Sequence, residues 1–174
     1  MHEFQVVHFI PSLSTGGAES MLFKLLNADQ ENSPKAVVTM FPGGRFERQV
    51  TGLGVQVVSL DVKRLSSLLH RIRALNKILS QSNVTVLCGW MYYGAILAIF
   101  LKTLGILTRA PTRVVVCNVR HSLSDLPKEK RRIRLAVRLI KLLRPLITHF
   151  IFTSHISKRE HCVLWGTSLP ASVI

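Results

Sequence analysis

Short apolar runs alternate along the chain with longer segments in which apolar positions recur at helical spacing. In the runs, such as FQVVHFI at residues 4–10, apolar side chains fill both parities of the alternation, which is typical of strands covered on both faces. We predict strands at residues 4–10, 36–41, 55–60, 84–88, 113–118 and 149–153. The amphipathic segments predict helices at residues 17–28, 46–53, 65–79, 90–107, 126–146 and 154–164.

This alternation of strands and helices predicts the fold class. Strands separated by helices form parallel βαβ units, so we expect an α/β fold: a Rossmann-like, doubly wound parallel sheet with helices on both faces. The 174 residues, 48% of them hydrophobic, suit one domain. Ligands bind such sheets at the carboxyl ends of the strands. The loops that meet this condition are residues 11–16, 42–45, 61–64, 89–93, 119–125 and 154–156.

The most apolar segment, residues 90–107, is predicted to be a buried helix and not a membrane span. Lys102 and Gly105 interrupt it, and it is shorter than the ~20 residues that a span needs. No signal peptide is expected, because the chain enters a strand at once. The three cysteines are far apart and lack metal-ligand spacing, so we expect no disulfide framework, no zinc site and a reducing cytosol.

Charge narrows the choice of partners. Lys and Arg number 23 against 9 Asp and Glu, which gives a net charge of +14 and a pI of about 10.7. Such a surface favours an anionic partner: nucleic acid, an anionic membrane or a phosphorylated substrate. Residues 127–144 concentrate the charge, with eight Lys or Arg against one Glu. An apolar stripe runs along the same predicted helix: Ile133, Ala136, Val137, Ile140 and Leu143.

We interpret this basic amphipathic helix as an element that lies on an anionic membrane. An ordinary solvated helix face is the alternative. Nucleic acid is not expected as a partner, because no recognition motif occurs and few aromatic residues are interleaved with the cations. The expected location is cytoplasmic and peripheral, on the inner face of the plasma membrane. The cations expected to face the membrane are Lys128, Lys130, Arg131, Arg132, Arg134, Arg138 and Lys141.

The loop after the first strand, PSLSTGGAES, is a candidate phosphate site. The paired Gly16 and Gly17 allow a ligand to approach the backbone, and the helix behind them offers free N–H groups and a positive dipole end. The spacing fits neither the dinucleotide fingerprint nor a P-loop. A glycine-rich turn with Glu19 as a helix cap remains the alternative.

The loop after the fifth strand is the second candidate site. Arg120, His121 and Ser122 follow the strand and could bind phosphate or sugar hydroxyls. His121 is the stronger functional candidate, because a polar group at this position faces the crevice of the sheet. Ser124 or Asp125 could instead cap the following helix.

Aromatic residues follow the fourth strand: Trp90, Tyr92 and Tyr93. Rings at the rim of a crevice often stack on sugars, but they are as often part of the core. Hydrolase chemistry is not expected, because the chain lacks a GxSxG elbow. No group of His and acidic residues has the spacing of metal ligands, so no metal site is expected either.

Several segments together resemble glycosyltransferase family 4 proteins. They are HFIPSLSTGGAESMLFKLL at residues 8–26, GLGVQVVSLD at 52–61, VRHSLSDLPKEKRRIRLAVRLIKLL at 119–143 and FTSHISKREHCVLWG at 152–166. Gly-Gly-Ala-Glu alone has little specificity, but these segments occur in the family's order and at suitable spacing.

The resemblance implies a GT-B fold, with two Rossmann-like domains and the active site between them. Residues 1–174 would then be the N-terminal, acceptor-side domain, without the C-terminal donor-binding domain. The implied activity is transfer of a sugar, with retention, from a nucleotide sugar to a lipid-linked or polysaccharide acceptor in cell-surface glycan synthesis. Gly16 and Gly17 would approach the donor diphosphate, with Arg120 as a further phosphate contact, and His121 would lie near the reacting sugar.

The resemblance also implies acceptor contacts from the nearby aromatic and hydroxyl side chains, Trp90, Tyr92, Tyr93 and Ser122. Neither a metal nor another cofactor is expected beside the nucleotide-sugar substrate. A cleft enzyme without one wall loses positioning and electrostatic stabilisation, so we expect the domain alone to be almost inactive. The alternative is a non-catalytic subunit that docks the acceptor or the membrane, while a separate chain carries the donor-binding domain.

Overall fold

The computed structural model describes residues 6–29, 35–63, 65–80, 84–107, 113–124, 126–166 and 168–174. The strands are β1 Val6–Ile10, β2 Lys35–Thr39, β3 Gln56–Ser59, β4 Val86–Trp90, β5 Val114–Val119, β6 His149–Phe152 and β7 Ala171–Val173. The helices are α1 Gly17–Ala28, α2 Arg45–Gly52, α3 Leu65–Ser80, α4 Met91–Leu107, α5 Arg131–Leu143 and α6 His155–Trp165. Two 3₁₀ turns, Leu126–Lys128 and Arg144–Leu146, flank α5.

The strands form one seven-stranded sheet in the order β3-β2-β1-β4-β5-β6-β7, and every pair is parallel. The strand order reverses between β1 and β4, which is the topological switch point of a doubly wound fold. Two separate hydrophobic clusters cover the sheet, one built with α1 and α2 and the other with α3, α4, α5 and α6. The predicted fold class is confirmed.

Some predicted element bounds are wrong. The sequence pattern misses β7, a three-residue edge strand that forms by pairing with β6 and has too little local pattern to stand out. β4 extends to Trp90, so α4 begins one residue later than predicted, at Met91. The start of the first predicted strand, residues 4–5, lies outside the described residues.

The predicted helix at residues 126–146 is three segments. Lys130 adopts an extended conformation (φ −56°, ψ 140°), ends the first 3₁₀ turn and serves as the N-cap of α5. At the other end Pro145 lacks the N–H that a continuing helix needs, and the chain tightens into the second 3₁₀ turn. The predicted apolar stripe is confirmed: Ala136, Val137 and Ile140 are buried, and Ile133 and Leu143 pack against the core.

Close packing of α4 on the sheet fixes the centre of the fold. A methyl group on Gly94 would overlap the carbonyl oxygen of Phe9 in β1, and one on Gly89 would overlap the backbone of Ala95. The glycines therefore let the helix backbone lie directly on the strands. The predicted burial of this segment is confirmed by Ala95, Ala98 and Leu101, which are inaccessible. None of the helices in the described ranges is both long and apolar enough for a membrane span.

A buried histidine ties β1 to β4. His8 is only 4% exposed, and its Nδ1 accepts a hydrogen bond of 3.1 Å from Trp90 Nε1. Because Nδ1 is the acceptor, the imidazole is neutral. Burial, with a smaller contribution from the charge of Lys35, lowers the pKa of His8 from 6.5 to about 4.

Acid should destabilise the protein through His8. The unfolded chain binds a proton that the folded chain excludes, so stability is complete above pH 6.5 and falls as the pH approaches 4. We expect this group to remove about 2 kcal/mol of unfolding free energy between pH 7 and pH 5, measured by urea titration. His8→Asn, which keeps an acceptor near Nδ1, should flatten the dependence, and His155→Asn at an exposed position should not. Equal slopes in both variants would contradict this assignment.

Candidate functional site

A cleft of about 500 Å³ lies at the carboxyl ends of β1, β4, β5 and β6, across the switch point of the sheet. Its lining comes from the end of β1 and the loop after it, from the start of α1, from the start of α4 and from the residues that follow β5 and β6. Its lining residues are Ile10, Pro11, Gly16, Gly17, Ala18, Glu19, Met91, Tyr93, Arg120 and Thr153. The fold thus brings together four of the predicted site residues: Gly16, Gly17, Tyr93 and Arg120.

Arg120 is the charged centre of this cleft. Its guanidinium carbon lies 5.0 Å from the centre of the Trp90 ring, a cation–π contact. Partial burial lowers its pKa, and its Nε has no hydrogen-bond partner. No carboxylate in the described part of the chain forms an ion pair with it. A partly desolvated cation of this kind favours an anionic ligand.

The first turn of α1 forms the opposite wall. Gly16 is the extended N-cap of the helix and makes no side-chain cap, while the carboxylate of Glu19 lies against its α-carbon. A side chain on Gly17 would meet no protein atom within 4 Å, so packing within the protein does not explain a glycine there. The open face of Gly17 exposes the positive end of the helix to the cleft, where the Glu19 carboxylate competes with an incoming anion.

Met91 is a site residue that the sequence did not indicate. It lies at the junction of β4 and α4 with a φ of 60°, a left-handed conformation that non-glycine residues rarely adopt, and it lines the cleft. Such strain persists only where surrounding packing enforces it, and it is common at functional sites. No local sequence signal marks this position, because methionine does not favour the left-handed conformation that it adopts here.

His121 lies beside the cleft and is not part of its lining. Its Nε2 is 3.2 Å from Oε1 of Glu129, and its ring meets that of Tyr92 edge-on at 6.4 Å between centres. Glu129 lies between the first 3₁₀ turn and α5, where the helix is interrupted, and from this position its carboxylate reaches the histidine. The imidazole thus lies next to the cleft, one residue after Arg120, which lines it.

Glu160 on α6 holds the loop that carries His121. Its two carboxylate oxygens accept hydrogen bonds from the Ser122 hydroxyl at 2.7 Å, the Leu123 amide at 2.7 Å and the Ser124 hydroxyl at 2.6 Å. These bonds lower the pKa of Glu160, the Ser124 bond most and the Ser122 bond next. No sequence motif marks this residue, apart from its being the single acid in the basic segment of α6.

The same contacts bear on two sequence predictions. The Ser122 hydroxyl donates to Glu160 and so helps to hold the loop, while its predicted contact with the sugar acceptor stays a prediction. Ser124 does not cap α5, whose N-cap is Lys130, because its hydroxyl also binds Glu160. Asp125 lies outside the described residues.

Other polar groups of α6 complete the support. Ser154 caps the helix by accepting from the Ser157 amide at 3.1 Å, and the Ser157 hydroxyl donates to the carbonyl oxygen of His121 at 2.9 Å. His161 is buried, with Nδ1 2.7 Å from the Ser157 carbonyl oxygen and Nε2 2.8 Å from the Tyr92 hydroxyl. Nδ1 therefore carries the proton and Nε2 accepts from the tyrosine. The Ser157 hydroxyl thus ties the His121 loop to α6, and the His161 ring ties α6 to α4.

The structure places two of the three aromatic rings in the core. Trp90 is 1% exposed and Tyr92 is 3% exposed, so their predicted contact with an acceptor would need the surrounding residues to move, and it stays a prediction. They contribute indirectly, since Trp90 supports Arg120 and Tyr92 supports His161. Tyr93 alone of the three lines the cleft. Among the described residues, no group of three His, Cys, Asp or Glu side chains could hold a metal ion.

Comparison with known proteins shows the fold. No protein-family model and no curated protein sequence matches the chain. Crystal structures of Anabaena Alr3699/HepE do match it. The complex with UDP and glucose aligns with a TM-score of 0.70 and 14% identity, over 99% of this chain and 44% of HepE. The complex with UDP alone aligns with a TM-score of 0.72 and 15% identity, over 98% and 43%. The chain therefore spans less than half the length of HepE, and the resemblance to glycosyltransferase family 4 remains a prediction.

The role of Glu160 can be tested through the loop that it holds. Glu160→Gln should raise the hydrogen-exchange rate of the Leu123 amide roughly tenfold, because a charge-assisted bond is replaced by a weaker one. Lowering the pH through the depressed pKa of Glu160 should likewise reduce the protection of this amide in the unaltered protein, once the exchange rate is corrected for its intrinsic dependence on pH. The control is Glu129→Gln, which removes a carboxylate that contacts only the His121 ring in this loop. Equal protection of Leu123 in all three proteins would refute the role.

Proposed function

We propose that the chain is the acceptor-side domain of a retaining, nucleotide-sugar-dependent glycosyltransferase, and that its cleft receives the donor diphosphate. The observation that carries the proposal is Arg120, a partly buried cation without an anionic partner in the described residues, opposite the open N-terminus of α1. The fold match to HepE, which was crystallised with UDP and glucose, supports the same ligand class.

The proposed roles follow from the surroundings of each group. The diphosphate gains negative charge as the sugar departs, and Arg120 and the free N–H groups of α1 stabilise that charge because they are fixed before the reaction. Gly17 lets the phosphates approach the helix, and Tyr93 offers a ring to the sugar or the acceptor. His121, held by α6 and beside Arg120, is the proposed catalytic group at the reacting sugar.

A second Rossmann-like domain is part of the proposal, because the match leaves more than half of HepE uncovered. A GT-B site lies between two domains, and this cleft supplies one wall of it. The second domain would supply most donor contacts and complete the enclosure that catalysis requires. A docking subunit that works with a separate catalytic chain is the alternative, and it needs the same membrane contact but no ordered diphosphate in the cleft.

Titration with UDP tests the cleft. We expect UDP and inorganic pyrophosphate to shift the amide resonances of Gly16, Gly17 and Arg120, and uridine to shift none of them. Arg120→Ala should weaken UDP binding about tenfold through loss of a charge-assisted contact, while the exposed control Arg73→Ala should not. Resonance shifts confined to other surfaces, or equal affinities in the two variants, would exclude a diphosphate site in this cleft.

Helix α5 supports the membrane part of the proposal. Besides its buried stripe, it exposes a second apolar stripe at helical spacing: Leu135 is 65% exposed, Leu139 37% and Leu142 76%. Cations flank these leucines, and Arg131, Arg134 and Arg138 surround Leu135 in a surface depression of about 270 Å³. Exposed leucines among arginines complement an anionic bilayer, whose headgroups attract the cations and whose hydrocarbon receives the leucines. We therefore propose peripheral binding to the inner face of the plasma membrane, where a lipid-linked acceptor would be found.

Vesicle co-sedimentation separates the two contributions. The protein should bind phosphatidylcholine vesicles only when they contain phosphatidylglycerol. Removing two charges with Arg134→Gln and Arg138→Gln should weaken this binding about 30-fold at low salt. Leu135→Gln with Leu142→Gln should weaken it at high salt, where attraction between charges is screened. The control is Leu69→Gln, at a 63% exposed position on α3. Binding that ignores the anionic lipid would remove the membrane proposal.

A further inference from the structure

An apolar groove of about 450 Å³ lies between α6 and the first 3₁₀ turn with the loop residues before it. We call it the α6 groove. Its walls are apolar except for one cation and the polar groups that bind the loop. The residues on which the inference rests are Leu123, Leu126, Pro127, Arg159, Val163 and Leu164.

The apolar wall on α6 faces water. Val163 is 77% exposed and Leu164 is 39% exposed, two residues and one residue before the buried Trp165. A groove of this volume falls within the range of about 300–1,000 Å³ that small ligands occupy. Covering these side chains with hydrocarbon would remove apolar surface from water and so favour binding.

Charge in the α6 groove selects the kind of apolar ligand. Glu160 also lines it, but both its oxygens accept hydrogen bonds from the loop. Arg159 forms no ion pair with a carboxylate of the described residues. The free charge of the α6 groove is therefore positive, and it complements an apolar chain that carries a phosphate.

The α6 groove runs from the cleft side of the sheet towards α5. Helix α6 begins at the carboxyl end of β6, where the cleft lies, so Arg159 lies nearer the cleft than Val163 and Leu164 do. At the far end, Lys141 of α5 donates a hydrogen bond of 2.9 Å to the Leu164 carbonyl oxygen. The α6 groove thus leads from the His121 loop to the cationic helix proposed to lie on the membrane.

We propose that the α6 groove binds the hydrocarbon chain of a lipid-linked acceptor, with its phosphate at Arg159 and its tail directed along Val163 and Leu164 towards α5. The inference deepens the proposed function and rests on it. It names the acceptor as an isoprenyl or alkyl phosphate and excludes a wholly polar saccharide.

Photo-crosslinking of the chain tests the site directly. The probe is farnesyl phosphate with a diazirine at the end of its chain. We expect mass spectrometry to find the label in residues 123–127 and 159–164, with decyl phosphate competing and inorganic phosphate failing to compete. Label confined to other segments would overturn the proposal.

Matched substitutions test the walls. Val163→Asp places a carboxylate against the hydrocarbon and should weaken probe binding roughly tenfold. Leu25→Asp changes a side chain that is 44% exposed on α1, away from the α6 groove, and should leave binding unchanged. Arg159→Gln should weaken binding of decyl phosphate more than binding of decanol. Equal effects of Val163→Asp and Leu25→Asp would overturn the proposal. It would also be overturned if Val163→Asp left the label unchanged and instead dissociated a dimer of the chain.

The outcome is separable from that of the proposed function. If UDP shifts Gly17 and Arg120 but the probe does not label the α6 groove, only the acceptor inference fails. If the probe labels it and UDP shifts nothing in the cleft, the donor site fails and the lipid site stands.

Discussion

Helix α4 lies so close to β1 that no side chain fits between them at Gly94, and this contact fixes the geometry of the cleft. Because the helix must start directly above the sheet, the chain turns sharply after Trp90 and holds Met91 in a left-handed conformation. The turn leaves Trp90 buried, with its Nε1 bound to His8 and its ring beneath the guanidinium of Arg120. The position of the cation in the cleft thus follows from the packing of two glycines in the core.

Helix α6 plays the same part for the loop after β5. It contacts the loop through a hydroxyl that binds the His121 carbonyl and a carboxylate that binds three donors, and its buried imidazole binds Tyr92 of α4. The hydrogen bonds of these groups also satisfy polar atoms whose burial without a partner would cost free energy. A rigid helix therefore positions the proposed catalytic histidine, as the sheet edge positions Arg120.

The sequence was sufficient for the fold and for which loops meet at the cleft, and insufficient for the contacts of single residues. Apolar runs in both parities indicate buried parallel strands, and the carboxyl ends of such strands then predict where Gly16, Gly17 and Arg120 lie. Trp90 and Ser122 fall in the same loops, but the first is buried and the second binds Glu160. Whether a loop side chain points to the cleft or to the protein depends on tertiary contacts far away in the sequence, and local pattern does not contain them.

The basic character of the protein follows from where its few acids are used. Glu160 binds its own loop, Glu129 lies against His121, Glu19 lies at the start of α1 and Asp29 pairs with Lys35. Acids committed in this way do not neutralise Arg120 in the cleft, Arg159 in the α6 groove or the arginines of α5. These cations lie on three separate surfaces: the exposed face of α5, the α6 groove and the cleft. The excess of base that the composition shows is thus, in the fold, gathered at the surfaces where the proposed membrane, lipid-phosphate and diphosphate contacts would lie.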